Sequence, residues 1–309
     1  MKKYYGEFGL ILVTMIWGMG FVGTQLAIDG GLTVLQIVTI RFLIAAVIMG
    51  VVFYKKIKKS MNKRALISGI ILGIAQFTAF SLQTAGQMLT TPSKNAFITS
   101  SSVIIVPIIG LLLFKKKLDK LGIISSFMAL IGIGILSLES DFTLNLGDIL
   151  TFMCAIGFAC HIVFTGEFVK VSNAIVLTVV QFATAFVLSF IAQICTGQLV
   201  ITTTSMGVVG VLYLGVFSTC ICFFLQTVCQ KRVEGNRAAV ILSMEAVFGT
   251  IFSVLLLGES ITSRLLIGSS LIFIAIIIAE TKLSFLKFGR RSDSKCSVDI
   301  DCDSNPEMS

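Results

Sequence analysis

The chain has 309 residues, of which 56% are hydrophobic and 13% are charged, and its formal net charge is +8. A water-soluble domain of this length could not carry so much apolar surface, so the composition excludes a soluble protein and indicates a membrane protein. The eight cysteines include no CxxC pair, which favours buried or free thiols. We therefore predict no metal site and no cofactor.

Apolar residues recur in blocks of about 20, the length with which an α-helix crosses a hydrocarbon core of ~30 Å. The blocks predict an all-α polytopic membrane protein with ten transmembrane helices. The stretch 284–309 is polar, lacks apolar periodicity and is predicted to be a disordered cytoplasmic tail. The predicted helices span 8–28, 33–53, 65–87, 93–114, 120–138, 147–168, 174–195, 206–229, 237–257 and 261–280.

Lysine and arginine concentrate in alternate connections between the blocks. The second connection carries KKIKKSMNKR and the fourth KKKLDK, whereas odd-numbered connections such as TTPSK and ESD are mostly neutral or acidic. The positive-inside rule then places both termini in the cytoplasm of a cell (plasma or inner) membrane. The positive charge is expected to face the anionic lipid of the inner leaflet, and no nucleic-acid partner is predicted.

The chain repeats itself. FSLQTAGQ at 80–87 returns as FFLQTVCQ at 223–230, an offset of 143 residues that also relates Gln76 to Thr219 and Ser102 to Glu245. Near the start of each half the offset is 139, since Trp17-Gly18 aligns with Ile156-Gly157. The sequence therefore predicts two five-helix repeats, at 6–138 and 146–283.

The odd number of helices in each repeat decides their relative orientation. If the first helix starts inside, the sixth starts outside, so the halves are inverted about an axis in the membrane plane. Gln83 is then expected in the outer half of its helix and Gln226 in the inner half of its own. Inverted repeats are typical of secondary transporters, which bind substrate near the midplane between the halves.

Several motifs resemble a known family. WGMGF at 17–21, RF at 41–42 and SMEAVFGTIFSVLLLGE at 243–259, together with the ten-helix plan, resemble the drug/metabolite transporter (DMT) superfamily, EamA-domain type. The resemblance implies a secondary transporter of small organic metabolites or drugs, with export as the expected direction, and not an enzyme. Two departures are that Ala246 stands where the family often has a proline and that Lys116 faces Glu259 in the repeat alignment. Pro107 predicts a kink in the fourth helix.

Polar side chains form stripes on three predicted helices. These stripes favour a common wet cavity, and the alternative is that they join neighbouring helices by hydrogen bonds. Trp17 lies mid-helix, either as an aromatic wall of the cavity or packed at a tight crossing beside Gly18 and Gly20. The cavity candidates are Trp17, Gln76, Gln83, Asn95, Thr99, Ser102, Thr219 and Gln226.

Arg41 and Glu259 are interpreted as structural charges. Arg41 could attract an anionic substrate or clamp backbone carbonyls and the nearby Gln36, and the resemblance favours the structural role. Glu259 is expected to cap the tenth helix around Ser260 and Thr262.

Glu245 and His161 are the candidates for proton coupling, because ionisable groups inside a membrane are costly. Both lie about eight residues from the predicted inner boundary, so at ~1.5 Å per residue they share a level. We hypothesise that Glu245 binds a coupling proton and that His161 tunes it. The alternatives are a neutral Glu245 bonded to helix backbone and a His161 packed among Phe158 and Thr165.

Two function classes other than a secondary transporter were compared with the sequence, an enzyme and a channel or scramblase. An enzyme would need a nucleophile or metal cluster, yet the chain has a single histidine and no HExxH motif. A membrane channel or a lipid scramblase with the same helix plan remains an alternative. The expected partners are a small-molecule substrate, membrane lipids and protons as the coupling ion.

Overall fold

A computed structural model describes residues 5–114, 120–137, 145–233, 238 and 241–281, and these residues form helices and connections without a β-strand. Lys116 and the predicted tail at 284–309 lie outside the described residues. The helices are α1 (Tyr5–Asp29), α2 (Val34–Val52), α3 (Tyr54–Ser60), α4 (Lys63–Gln87), α5 (Pro92–Ser100), α6 (Ser102–Phe114), α7 (Lys120–Ser137), α8 (Leu146–Val171), α9 (Ala174–Cys195), α10 (Ser205–Tyr213), a π-helical segment (Leu214–Ile221), α11 (Cys222–Gln230), α12 (Glu245–Leu257) and α13 (Ser263–Thr281).

Within the described ranges, seven helices are long and apolar enough to cross a membrane. This confirms an all-α protein with several membrane spans. The predicted blocks at 120–138, 237–257 and 261–280 coincide with α7 and with two shorter apolar helices, Ile241–Leu257 and Ser263–Ala275, so the count of ten spans stays a prediction. The seven spans are Tyr5–Asp29, Val34–Val52, Lys63–Gln87, Pro92–Leu113, Leu146–Val171, Ala174–Cys195 and Ser205–Gln230.

Polar caps define where several helices begin. Thr33 and Gln36 form a capping box at α2, in which each side chain accepts a hydrogen bond from the other residue's backbone N–H. Asn62 Oδ1 accepts from Ala65 N at 2.9 Å at the start of α4. Thr91 caps α5 directly before Pro92, whose missing N–H costs nothing in a first helical turn.

Helices of the two halves pack on each other in matched pairs. α4 packs against α8, and the repeat-related pair is α1 against α10 and α11. α5 and α6 pack against α8, and α12 correspondingly packs against α1. The contact of α4 with α9 has its counterpart in the contact of the π-helical segment with α2. Each of these contacts has the partner that the sequence repeat predicts.

Close glycine contacts set the relative direction of α4 and α8. A Cβ atom on Gly86, at the end of α4, would lie 2.8 Å from the carbonyl oxygen of Gly147, at the start of α8. A Cβ on Gly157, farther along α8, would lie 3.0 Å from Ala79 Cβ, which precedes Gly86 in α4. The two helices therefore run antiparallel.

The same holds for the repeat-related crossing of α1. A Cβ on Gly9 would lie 2.7 Å from Cys229 Sγ, and a Cβ on Gly23 would lie 3.5 Å from the carbonyl oxygen of Gly210. Because Gly23 follows Gly9 while Gly210 precedes Cys229, α1 runs antiparallel to the helical run from α10 to α11.

The fourth helix of each half is interrupted at the same place in the repeat. Ser101 separates α5 from α6, and its Oγ donates to the carbonyl of Ile98 at 2.6 Å. Met244 lies immediately before α12, 143 residues after Ser101, which is the offset of the repeat. Pro107 lies inside α6, six residues after this interruption, and the kink expected there stays a prediction.

The π-helical segment distinguishes the halves. It occupies Leu214–Ile221 between α10 and α11, whereas the repeat-related residues 71–78 belong to the uninterrupted α4. Such segments are rare and frequently lie at functional sites. No pattern in the sequence predicts this segment.

Candidate functional site

A cavity lies where α1, α2, α4, α5, α8 and the π-helical segment meet, beside the interruptions at Ser101 and Met244. Its volume is about 50 Å³, enough for a few waters in this conformation. Of the residues singled out from the sequence, its lining includes Trp17, Arg41, Gln83, Thr99, Ser102, His161, Gln226 and Glu245. Gln76, Asn95, Thr219 and Glu259 are not among the lining residues.

Trp17 forms part of an aromatic wall. Its indole Nε1–H donates to the backbone carbonyl of Ser218 at 2.9 Å, inside the π-helical segment. Its ring centroid lies 5.0 Å from that of Phe223, and Phe223 in turn lies 5.6 Å from Phe80. Phe158 meets Phe80 edge-on at 5.0 Å. The four rings, two from each half, form a continuous apolar surface with the indole N–H satisfied.

Arg41 is a buried cation that lies over the ring of Phe80. It is 1% exposed, its Nε donates to Thr219 Oγ1 at 2.9 Å and one Nη donates to Ser218 Oγ at 3.3 Å. The guanidinium carbon lies 3.9 Å from the centroid of the Phe80 ring, a cation–π contact. Among the described residues Arg41 makes no ion pair. It therefore ties α2 to the π-helical segment while presenting a positive charge to the cavity.

The expected contact of Arg41 with Gln36 is not observed. Gln36 Nε2 instead donates to the carbonyls of Gln198 and Val200, at 3.0 and 2.8 Å. Gln36 therefore fastens the start of α2 to the connection after α9.

The polar stripes of α4 and α5 contact each other. Gln83 Nε2 donates to Thr99 Oγ1 at 3.2 Å, and Asn95 Nδ2 donates to the backbone carbonyl of Gln83 at 3.0 Å. Asn95 also reaches Thr151 Oγ1 of α8 at 3.2 Å. Gln83 and Thr99 thus face the cavity, while Asn95 sits behind them and joins three helices. Of the two interpretations of the stripes, cavity lining applies to Gln83 and Thr99, and interhelical bonding applies to the neighbouring Asn95.

Glu245 and His161 line the same cavity with different partners. Glu245 is the first residue of α12, and its Oε1 accepts from Ser100 Oγ at 3.3 Å. His161 is 1% exposed, its Nε2 pairs with Gln181 Oε1 at 3.1 Å and its ring meets Phe223 edge-on at 5.6 Å. The partner of His161 is thus Gln181 of α9, and its ring packs on Phe223.

Glu259 lies away from the cavity and bonds to another helix than expected. Its Oε2 accepts from the backbone N–H of Ser93 at 3.2 Å and from Ser93 Oγ at 2.7 Å, at the first turn of α5. Thr262 provides the side-chain cap of α13 by accepting from Leu265 N at 3.1 Å. The carboxylate therefore joins the end of α12 to the start of α5 across the two halves.

Some lining residues escaped the sequence analysis. Ser100 and Ser243 both line the cavity. They are related by the 143-residue offset and each lies one residue before the aligned pair Ser101 and Met244, so extending the repeat alignment would have found both. Ser218 follows no such pattern, because its role depends on the π-helical segment. Gln181, the partner of His161, was not among the candidates from the sequence.

The comparisons with known proteins agree with this architecture. The EamA-like transporter family matches residues 4–138 and again 145–281. A relative from Archaeoglobus fulgidus, described as an uncharacterized transporter, is 34% identical over 284 residues, which cover 92% of this chain and 88% of the relative. A Salmonella typhimurium protein described as a probable amino-acid metabolite efflux pump is 24% identical over 286 residues, 87% of this chain and 92% of its own length.

A solved crystal structure has the same fold, with a TM-score of 0.69 at 16% identity, covering 94% of this chain and all of that one. The chain belongs to the EamA-like transporter family, within the drug/metabolite transporter superfamily. It is a membrane transporter and not an enzyme.

The contact of Arg41 with the π-helical segment predicts an effect on stability. Thr219→Val removes the hydroxyl that accepts from Arg41 Nε and leaves a buried N–H without a partner, so we expect the free energy of unfolding to fall by about 1–3 kcal/mol. Thr227→Val is the matched control, because the Thr227 hydroxyl is equally buried but donates only within its own helix, to the Phe223 carbonyl. Thermal unfolding in detergent measures both. An equal loss in the two variants would contradict the role given to Arg41.

Proposed function

We propose that the chain is a secondary transporter that moves a small organic metabolite out of the cell by alternating access between two inverted five-helix halves. The proposal includes ten membrane spans with both termini in the cytoplasm. The observation that carries it is the buried cavity, to which each half contributes the interruption of its fourth helix, at Ser101 and at Met244.

The packing directions support the inversion of the halves. α4 runs antiparallel to α8, the first helix of the second half, and α1 runs antiparallel to the run from α10 to α11. If α1 and α4 leave the cytoplasm, α8 then enters from outside. Two halves that start on opposite sides, with contacts in matched pairs, can exchange roles when the cavity opens to one face and then to the other.

The interruptions support movement at the cavity. Irregular backbone at membrane depth is tolerated where it is buried in protein or lines a cavity, and half-helices that end there are typical of carrier binding sites. Ser100, Ser102, Ser243 and Glu245 flank the two interruptions and all line the cavity. A change of angle at either position would therefore reshape the site directly.

The charges on the walls favour a substrate with both an acidic and a basic group. Arg41 presents a cation and Glu245 a carboxyl group to the same space, and neither has an ion-pair partner among the described residues. The four aromatic rings between them suit an apolar side chain. The relative described as a probable amino-acid metabolite efflux pump supports a metabolite of amino-acid type.

Coupling to protons is the further part of the proposal. Glu245 opens α12 on the cavity wall, where its protonation state would change with the face to which the cavity is open. His161 lies on the same wall and is held by Gln181, so any influence on Glu245 passes through the cavity space between them. A neutral Glu245 could donate to Ser100 and a charged one accepts from it.

The glutamines of the octets test the transport path. Gln83→Leu and Gln226→Leu should each lower counter-flow transport of an amino-acid-type substrate in proteoliposomes by about tenfold, equivalent to about 1.4 kcal/mol. Gln230→Leu is the control, because Gln230 lies one turn after Gln226, is also buried and is not among the lining residues. Transport that stays unchanged in both lining variants would favour interhelical bonding. Flux that does not saturate in the unmodified protein would instead favour a channel or scramblase.

The coupling residue is tested separately. Glu245→Gln keeps the shape of the side chain and its bond to Ser100 but cannot exchange a proton, so we expect it to abolish accumulation driven by a pH gradient while counter-flow continues. Glu167→Gln, at a carboxylate paired with Lys170 at 2.8 Å, is the control and should keep the gradient response. Substrate concentrated by the Glu245→Gln variant in response to the gradient would show that the carboxyl group is structural.

A further inference from the structure

A second concave site opens on the side of the protein, between the start of α4 and the end of α8. Its volume is about 430 Å³ and it is distinct from the substrate cavity, with which it shares no lining residue. It is lined by Lys63, Arg64, Ile67, Ser68, Ile71 and Phe168, which we call the α4–α8 groove.

The repeat explains why the helices part here. The related crossing, of α1 with α10, is closed by two glycines, since a Cβ on Gly30 would lie 2.7 Å from Gly207 Cα. The 143-residue offset relates Gly207 to Arg64, and the 139-residue offset relates Gly30 to Val169, next to Phe168. Side chains therefore stand at this crossing where the related crossing has glycines.

The groove changes character along its length. Lys63 and Arg64 are exposed at its mouth and have no carboxylate partner among the described residues, while the adjacent Glu167 pairs with Lys170. Ile67 and Ile71 follow on the same face of α4, 48% and 38% exposed. From Lys63 to Ile71 the helix rises ~12 Å at ~1.5 Å per residue. The groove thus has a cationic mouth at Lys63 and Arg64 and an apolar part that follows α4 to Ile71.

Further cations precede the groove in the chain. The short helix α3 precedes α4 and carries four lysines, all of them exposed: Lys55, Lys56, Lys58 and Lys59. Basic clusters of this kind at the cytoplasmic end of membrane helices attract anionic lipid, and basic pockets between such helices hold the headgroups. The groove adds to this charge a channel of the right polarity for an acyl chain.

We propose that the α4–α8 groove binds one anionic phospholipid of the inner leaflet. Its phosphate lies at Lys63 and Arg64, and an acyl chain lies along Ile67, Ile71 and Phe168. Because α4 belongs to the first half and α8 to the second, the lipid contacts both halves at once. The inference does not depend on which substrate the central cavity carries.

A fluorescent reporter in the groove tests the proposal. Trp17 is the only tryptophan, so Phe168→Trp in a Trp17→Phe background places a single indole at the groove. The protein is reconstituted in two series of phosphatidylcholine vesicles. One series contains increasing fractions of phosphatidylglycerol with brominated acyl chains, and the other contains increasing fractions of phosphatidylcholine with brominated acyl chains. We expect half-maximal quenching at a mole fraction at least about fivefold lower for brominated phosphatidylglycerol, because two cations face its phosphate.

Matched variants separate a site from general surface charge. Lys63→Gln with Arg64→Gln should abolish the preference, whereas Lys231→Gln with Arg232→Gln removes the same charge from exposed residues after α11 and should leave it intact. Leu255 of α12 is 72% exposed. A Leu255→Trp reporter should therefore be quenched equally by both lipids, and its quenching shows that each variant is inserted in the membrane.

Three results would overturn the proposal. Equal quenching by the two brominated lipids at Phe168→Trp would show no anionic-lipid site, and a preference that survives Lys63→Gln with Arg64→Gln would place the lipid elsewhere. Relief of quenching by millimolar soluble glycerol phosphate would show that the mouth recognises a free phosphate rather than a membrane lipid.

Discussion

Backbone N–H and C=O groups inside a hydrocarbon layer have no water to bond with, so a helix can be interrupted there only where other parts of the protein supply partners. Three interruptions meet this constraint at one place. Ser101 bonds back to Ile98, and the carbonyl of Ser218 in the π-helical segment accepts from the Trp17 indole. Trp17 and Ser218 line the cavity, as do Ser100 and Ser102 on either side of Ser101, so the site and the irregular backbone coincide.

Buried charge follows from the same constraint. The guanidinium of Arg41 is kept at depth by two hydroxyls of the π-helical segment and by the face of Phe80. Among the described residues, Glu245, at the opposite interruption, accepts a side-chain hydrogen bond only from Ser100. A cation with several partners can be structural and still attract a substrate, whereas a carboxyl group with one neutral partner is free to change its protonation. The two interpretations of Arg41 therefore do not exclude each other.

Much of this could be predicted from sequence, because length, apolar blocks and a repeated polar octet are one-dimensional signals. Gln83 and Gln226 are found by their octets, and Glu245 by its cost in a membrane. The π-helical segment is not encoded in a proline or glycine pattern, so Ser218 could not be found. Glu259 was assigned to the nearest helix start in sequence, yet it bonds Ser93, because contacts between halves are invisible to local reasoning.

The inversion of the halves is the central claim, and repeat-related connections test it most directly. Cys195, exposed at the end of α9, can be kept as the single cysteine while the other seven are replaced. A second variant carries Lys59→Cys as its single cysteine. In the repeat, the connection before α4, which contains Lys59, corresponds to the connection that follows Cys195. In spheroplasts a membrane-impermeant maleimide should label Cys195, and it should label Lys59→Cys only after the membrane is opened. Labelling of both sites from the same side would contradict inverted halves.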